Sequence, residues 1–129
     1  PPRREDAASG SGCAPGGSDD LPDGWWYGTI AGPVGADVDF DLACYYIGAA
    51  AEAEAASRGD EVNNDYYVVN ENPQVRTLTV AAGASATCVE MDGNIDGADC
   101  SPTDVAGDWA VWLRVQGGEV DRIVEQYAP

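Results

Sequence analysis

The stretch Asp37-Val-Asp-Phe-Asp-Leu-Ala-Cys44 alternates between acidic and apolar side chains as far as Leu42 and keeps Cys44 in the apolar phase. Successive residues of a β-strand point to opposite faces, so Val38, Phe40, Leu42 and Cys44 share one face and Asp37, Asp39 and Asp41 the other. This is the signature of a strand with one dry side and one wet side. Immediately upstream, Trp25-Trp-Tyr-Gly-Thr-Ile30 reads as a preceding strand, and Gly32-Pro-Val-Gly35 supplies the turn. The two strands therefore form a hairpin, and the rest of the chain must cover its dry side.

Downstream, the alanine-rich segment 49–57 predicts a short helix. Glu54 stands four residues before Arg58 for an i,i+4 pair, and Gly59 is placed to end the helix. So brief a helix is marginal alone and must pack its alanine side on the sheet. Residues 65–70, Asp-Tyr-Tyr-Val-Val-Asn, read as a strand closed by Asn72-Pro73, and 75–80 as the next. Residues 84–91 read as a fifth strand and 92–108 as a polar, Gly-rich loop. Segments 109–115 and 120–127 flank Gly117-Gly118, a strong two-residue hairpin signal. The sum is a mainly β fold: a small β-barrel or strongly curved antiparallel sheet of about seven strands, with one short helix after the second strand.

The first segment differs in kind. Residues 1–24 are dominated by Pro, Gly, Ser, Ala and Asp, and are read as an irregular tail ahead of a single β-rich domain over 25–129. No stretch reaches the roughly 20 apolar residues of a membrane-spanning helix. No signal sequence is evident either, so an export signal is expected to have been removed already.

Charge and composition exclude several functions. The chain of 129 residues carries 23 Asp and Glu against 6 basic residues, a net charge of −17, and has no His. Nucleic acid and anionic lipid are thereby poor partners. Without imidazole there is no Ser-His-Asp triad, no Cys-His dyad and no His-ligated zinc or haem. The four cysteines, Cys13, Cys44, Cys88 and Cys100, include no Cys-x-x-Cys pair, which argues for two disulfides and an oxidising compartment over zinc or redox chemistry. Of the three connectivities, Cys88 with Cys100 closes a short loop and is favoured; Cys13 with Cys44 follows by elimination.

Several segments together resemble a family of small exported domains of unknown function from actinobacteria and other Gram-positive bacteria. They are Tyr27-Gly-Thr-Ile, Val38-Asp-Phe-Asp-Leu-Ala, Asn64-Asp-Tyr-Tyr-Val-Val-Asn-Glu-Asn-Pro, Val75-Arg-Thr-Leu-Thr-Val, Gly118-Glu-Val and Ile123-Val-Glu-Gln-Tyr-Ala-Pro. The resemblance implies a compact, β-barrel-like exported domain and carries no activity with it. The chain departs from the pattern at Cys44, where an aromatic residue is expected, and in its cysteine-bearing loop, which suggests an added disulfide.

Three constellations could carry chemistry. Asp92-Gly-Asn94-Ile-Asp96-Gly-Ala-Asp99 begins like a calcium loop, with hard oxygens at Asp92, Asn94, Asp96 and Asp99 around a sharp turn. Thr103 stands where such a loop needs a bidentate Glu, so the alternative is an acidic turn braced by Cys88 and Cys100. Asp37, Asp39 and Asp41 lie about 7 Å apart at each step of one strand face, a separation that also suits paired carboxylates in sugar hydrolysis; a wet strand face is the plainer reading. Four Trp and six Tyr stand against a single Phe. Such rings have a stacking face and a polar edge, and Trp25, Tyr67, Trp112 and Tyr127 are candidates for an exposed platform for sugar or peptide. In doublets such as Trp25-Trp26, strand alternation sends one ring in and the other out.

The function expected from these features is an exported, non-enzymatic binding or interaction module, secreted or at the cell surface. Its partner is a protein or carbohydrate. Weak calcium binding or carbohydrate binding is the alternative, and a carboxylate-dependent hydrolase a lesser one. No cofactor is expected beyond calcium.

Overall fold

β1, Gly24–Ile30, and β2, Asp37–Leu42, pair antiparallel with Ile30 opposite Phe40, which is the expected hairpin. The computed structural model describes residues 21–62, 66–70, 75–90, 93, 97–105 and 107–126. The remaining elements are β3, Cys44–Ile47; α1, Gly48–Ser57; β4, Tyr66–Val69; β5, Val75–Cys88; β6, Ala98–Cys100; β7, Val111–Gln116; and β8, Glu119–Glu125. A single 3₁₀ turn covers Pro102–Asp104 among the described residues.

Five strands close a barrel in the order β1-β2-β5-β8-β7 and back to β1, with β6 added beyond β5. Every pairing in it is antiparallel except β5 with β8. One consequence departs from the sequence reading: 75–80 and 84–91 are one long strand through Ala81-Ala82-Gly83. The first part of β5 pairs with β2, and the part from Val80 onward pairs with β8, across a register irregularity between Val80 and Ser85. Small side chains there let one strand bend and change partners; the same smallness looks like a loop in the sequence.

The expected strand over 37–44 is instead two. The chain leaves the barrel at Ala43, whose N–H donates to the Tyr27 carbonyl at 2.9 Å, and β3 then pairs with β4 in a separate two-stranded sheet. The described residues therefore hold eight strands, and the helix follows the third. Ala51 and Ala55 are its buried positions, as the alanine face requires. Its end is closed by Gly59 at φ +70°, whose N–H donates to Ala56, and Arg58 bonds Glu54 at 2.8 Å.

The barrel interior is filled by side chains. Phe40, Leu113, Ile123, Val111 and Val120 are wholly buried, and Val38 and Val105 nearly so. Each side chain of this size removed from water contributes roughly 1.5–3 kcal/mol, so this cluster is the main source of stability. Packing begins ahead of the boundary expected at Trp25. Leu21 is buried in the core, the Trp26 indole N–H donates to the Pro22 carbonyl at 2.9 Å, and Asp23 accepts from the Gly117 N–H at 3.0 Å.

The Cys88–Cys100 disulfide is present, with Cα atoms 5.9 Å apart, and ties β6 to the end of β5. Cys44 is disulfide-bonded too, and Cys13, the partner expected for it, lies outside the described residues. Among the described residues no helix is long and apolar enough to cross a membrane.

Candidate functional site on the outer barrel wall

Cross-strand neighbours on a sheet share a face, so the register of four barrel strands builds the outer wall row by row. One row runs Trp25 (β1), Arg114 (β7), Arg122 (β8), Ser85 (β5); the next runs Tyr27, Trp112, Val124, Thr87. Asp99 on β6 extends the second row, opposite Thr87.

The second row is covered. Tyr27, Trp112, Val124 and Ala43 form a small buried cluster outside the barrel, with Tyr45 and Ile47 of β3 packed against it. The Tyr45 ring lies 4.7 Å from Tyr27, 5.7 Å from Trp112 and 5.6 Å from Tyr66, centroid to centroid. Burial of Tyr27 pushes its phenol well above the ordinary range, with Tyr45 and Tyr66 adding to the shift. The Trp112 indole N–H is satisfied by Gln126 Oε1 at 3.0 Å.

The first row is open. Arg114 binds Asp121 through two parallel bonds, Nε to Oδ1 at 2.8 Å and Nη2 to Oδ2 at 3.1 Å. Its guanidinium carbon sits 5.8 Å from the Trp25 ring centre, a cation–π contact. Asp121 can do this because the β7–β8 register slips between Arg114 and Val115. The extra residue lets both Asp121 and Arg122 address Arg114. Arg122 donates from Nη1 to Ser85 Oγ at 2.8 Å and from Nη2 to Thr87 Oγ1 at 2.5 Å.

The aromatic candidates thus separate. Trp25 is half-buried and packs against the edge of the Tyr27–Trp112 cluster, with part of its ring left open beside Arg114, whereas Trp112 is 3% exposed and packed beneath Tyr45. Tyr67 lies on the hairpin face opposite Tyr45, with its hydroxyl donating to Asp60 Oδ2 at 3.0 Å. Tyr127 lies outside the described residues, as do Asp92, Asn94 and Asp96; Asp99 is exposed on β6. No group of three His, Cys, Asp or Glu side chains able to hold a metal occurs among the described residues. Arg114, Asp121 and Arg122 were not singled out by sequence. Counting back from Gly117-Gly118 sets Arg114 opposite Asp121, a pairing the two-residue turn makes readable.

The acidic row lies on the outer face of β2. Asp37 and Asp39 are exposed, opposite Thr79 and Thr77, and Asp39 accepts from the Thr77 hydroxyl at 2.8 Å. Oδ1 of Asp41 is enclosed with no hydrogen-bond donor among the described residues. The outer face of β2 and the first part of β5 thus carries carboxylates, whose sign repels a phosphate backbone.

A cavity of about 60 Å³, lined by Leu21, Leu78, Val115 and Val120 among others, is far below the several hundred Å³ of a small-molecule pocket. Comparison with protein-family models, with curated proteins and with solved structures finds no match.

Proposed function

We propose that this chain is an extracytoplasmic, non-enzymatic binding module that engages carbohydrate on the outer wall of its barrel. The observation that carries the reading is the open row beside a filled core. The interior is occupied by Phe40, Leu113 and Ile123, so a ligand has to bind outside, and Trp25 with its clamped Arg114 is an ordered aromatic surface there. Rings fixed in this way lose little entropy when a sugar stacks on them. The Cys88–Cys100 bridge supports an oxidising compartment, and so does the resemblance to exported domains.

Affinity electrophoresis of the disulfide-intact protein through gels holding soluble neutral or acidic polysaccharides tests the reading. Retardation by at least one polysaccharide, abolished by Trp25→Ala without release of reducing ends, is expected. Release of reducing ends, or retardation indifferent to Trp25→Ala, overturns it.

A further inference from the structure

We infer that Trp25, Arg114 and Asp121 form a subsite for one uncharged pyranose ring, with Asp121 as the residue that excludes acid sugars; this rests on the carbohydrate-binding reading above and names its ligand class. The three stand on the neighbouring strands β1, β7 and β8 and touch one another in sequence. The Arg114 guanidinium carbon is 5.8 Å from the Trp25 ring centre, and its Nε and Nη2 hold the two carboxylate oxygens of Asp121 at 2.8 and 3.1 Å. Each member keeps hydrogen-bonding capacity. The indole N–H groups of Trp26 and Trp112 are taken by Pro22 and Gln126, whereas that of Trp25 meets no acceptor among the described residues and is not enclosed. Nη1 of Arg114 meets no acceptor among those residues either, and each oxygen of Asp121 has a lone pair left. Both side chains of the pair can be reached from outside, at 38% exposure for Arg114 and 25% for Asp121.

Donors and an acceptor side by side suit hydroxyl groups, which both donate and accept. The charges then select against ions. A ligand carboxylate that approached Arg114 would meet the carboxylate of Asp121, and a ligand ammonium that approached Asp121 would meet the guanidinium. The pair is neutral as a unit, and the chain around it carries a net charge of −17, so an anion gains nothing from the wider field. What fits is an uncharged molecule with neighbouring hydroxyls and one apolar face. A neutral pyranose has both: its C–H face can lie on the open part of the Trp25 ring while its hydroxyls reach the pair. The side-on geometry holds donor and acceptor in place before the sugar arrives, which lowers the entropy lost on binding. Binding through neutral hydroxyls also depends little on salt.

The test is an NMR titration of the intact, 15N-labelled protein with the methyl glycosides of glucose, galactose and mannose and with methyl glucuronide, at matched ionic strength. Saturable shifts of the Trp25 indole N–H and Arg114 Nε–H signals are expected with at least one neutral glycoside, at least tenfold tighter than with the glucuronide and unchanged by added salt. Arg114→Lys, which keeps the charge and loses the fork, should weaken that glycoside at least tenfold, its amide spectrum confirming an unchanged fold. Asp121→Asn should weaken the neutral glycoside and strengthen the glucuronide, a reversal of preference that unfolding cannot mimic. A glucuronide that binds the parent as tightly as the neutral glycosides overturns the charge assignment and leaves the carbohydrate reading standing. Neutral binding indifferent to both substitutions overturns the roles of Arg114 and Asp121. No response to any of the four by a protein that a polysaccharide gel retards overturns the single-ring subsite alone; no response in either experiment overturns the carbohydrate reading with it.

Discussion

The ring of Phe40 lies against the backbone of Gly28, where β1 passes from its pairing with β7 to its pairing with β2. A Cβ built on Gly28 would sit 2.8 Å from Phe40 Cζ and would also strike the Asp41 carbonyl oxygen. The barrel closes because nothing projects there.

Gly28→Ala is accordingly expected to destabilise the domain by at least 1–3 kcal/mol, the usual range for overpacking, because the obstructing atom includes backbone that cannot rotate away. Urea unfolding followed by tryptophan fluorescence measures this. An unchanged midpoint would mean that β1 and β2 do not approach as closely as described.

The β3–β4 hairpin is held to the barrel by Tyr45, which touches Tyr27, Trp112 and Tyr66 together. Tyr27 is buried beneath it and neutral in the folded state, so its raised pKa makes stability fall as pH rises from about 10 toward the folded value. In a spectrophotometric alkaline titration Tyr27 should ionise after the exposed tyrosines. Tyr45→Ala opens the wall, and Tyr27 should then ionise nearer the ordinary value. If the titration is the same in both proteins, the hairpin does not cover Tyr27.

The parts of this architecture that were legible depend on neighbours along the chain. Alternation from Asp37 to Leu42 declared an inner and an outer face, Gly117-Gly118 declared a hairpin, and Glu54, Arg58 and Gly59 declared the end of a helix. Non-local pairing was not legible. Nothing in Ala81-Ala82-Gly83 distinguishes a bend within one strand from a loop between two, because the answer depends on β8 lying parallel to β5. The site divides along the same line. The doublet rule sent one of Trp25 and Trp26 inside without saying which, and the structure buries Trp26; which outward ring stays open depends on where the β3–β4 hairpin docks, and it docks on Trp112. The Arg114–Arg122 pairing needs the bulge at Asp121, which a one-residue change in register would erase.

The Cys88–Cys100 bridge closes a loop with a sequence separation of 12 residues. In the chain-entropy account such a loop stabilises by about 3 kcal/mol through its restraint of the unfolded chain. The paired substitution Cys88→Ala with Cys100→Ala should lower the urea midpoint accordingly, and leave the slope with denaturant little changed. Ala86 beside them is buried in the core, so near-ultraviolet circular dichroism should keep the native aromatic signal. A loss of that signal in buffer would show that the bridge forms the barrel end instead of restraining it.

Glu125, the last residue of β8, is a buried carboxylate whose Oε1 accepts the Val89 N–H at 2.8 Å. Burial raises its pKa, the backbone bond partly offsets the shift, and the Asp108 charge adds to it. For an acid with a raised folded pKa, the native state binds the extra proton between the unfolded and folded values, so Glu125 makes the domain more stable as pH falls through that window. Glu125→Gln keeps a carbonyl for Val89 and removes the ionisation. It should be neutral or stabilising at pH 7 and should abolish that part of the acid-side gain. Glu125→Ala leaves the Val89 N–H without its acceptor and should be about 1–3 kcal/mol less stable than the Gln variant at every pH. Thermal unfolding of the three proteins between pH 4 and pH 7 separates these terms: a Gln variant that tracks the parent at every pH means that Glu125 has no raised pKa, and an Ala variant as stable as Gln means that the bond to Val89 does not matter.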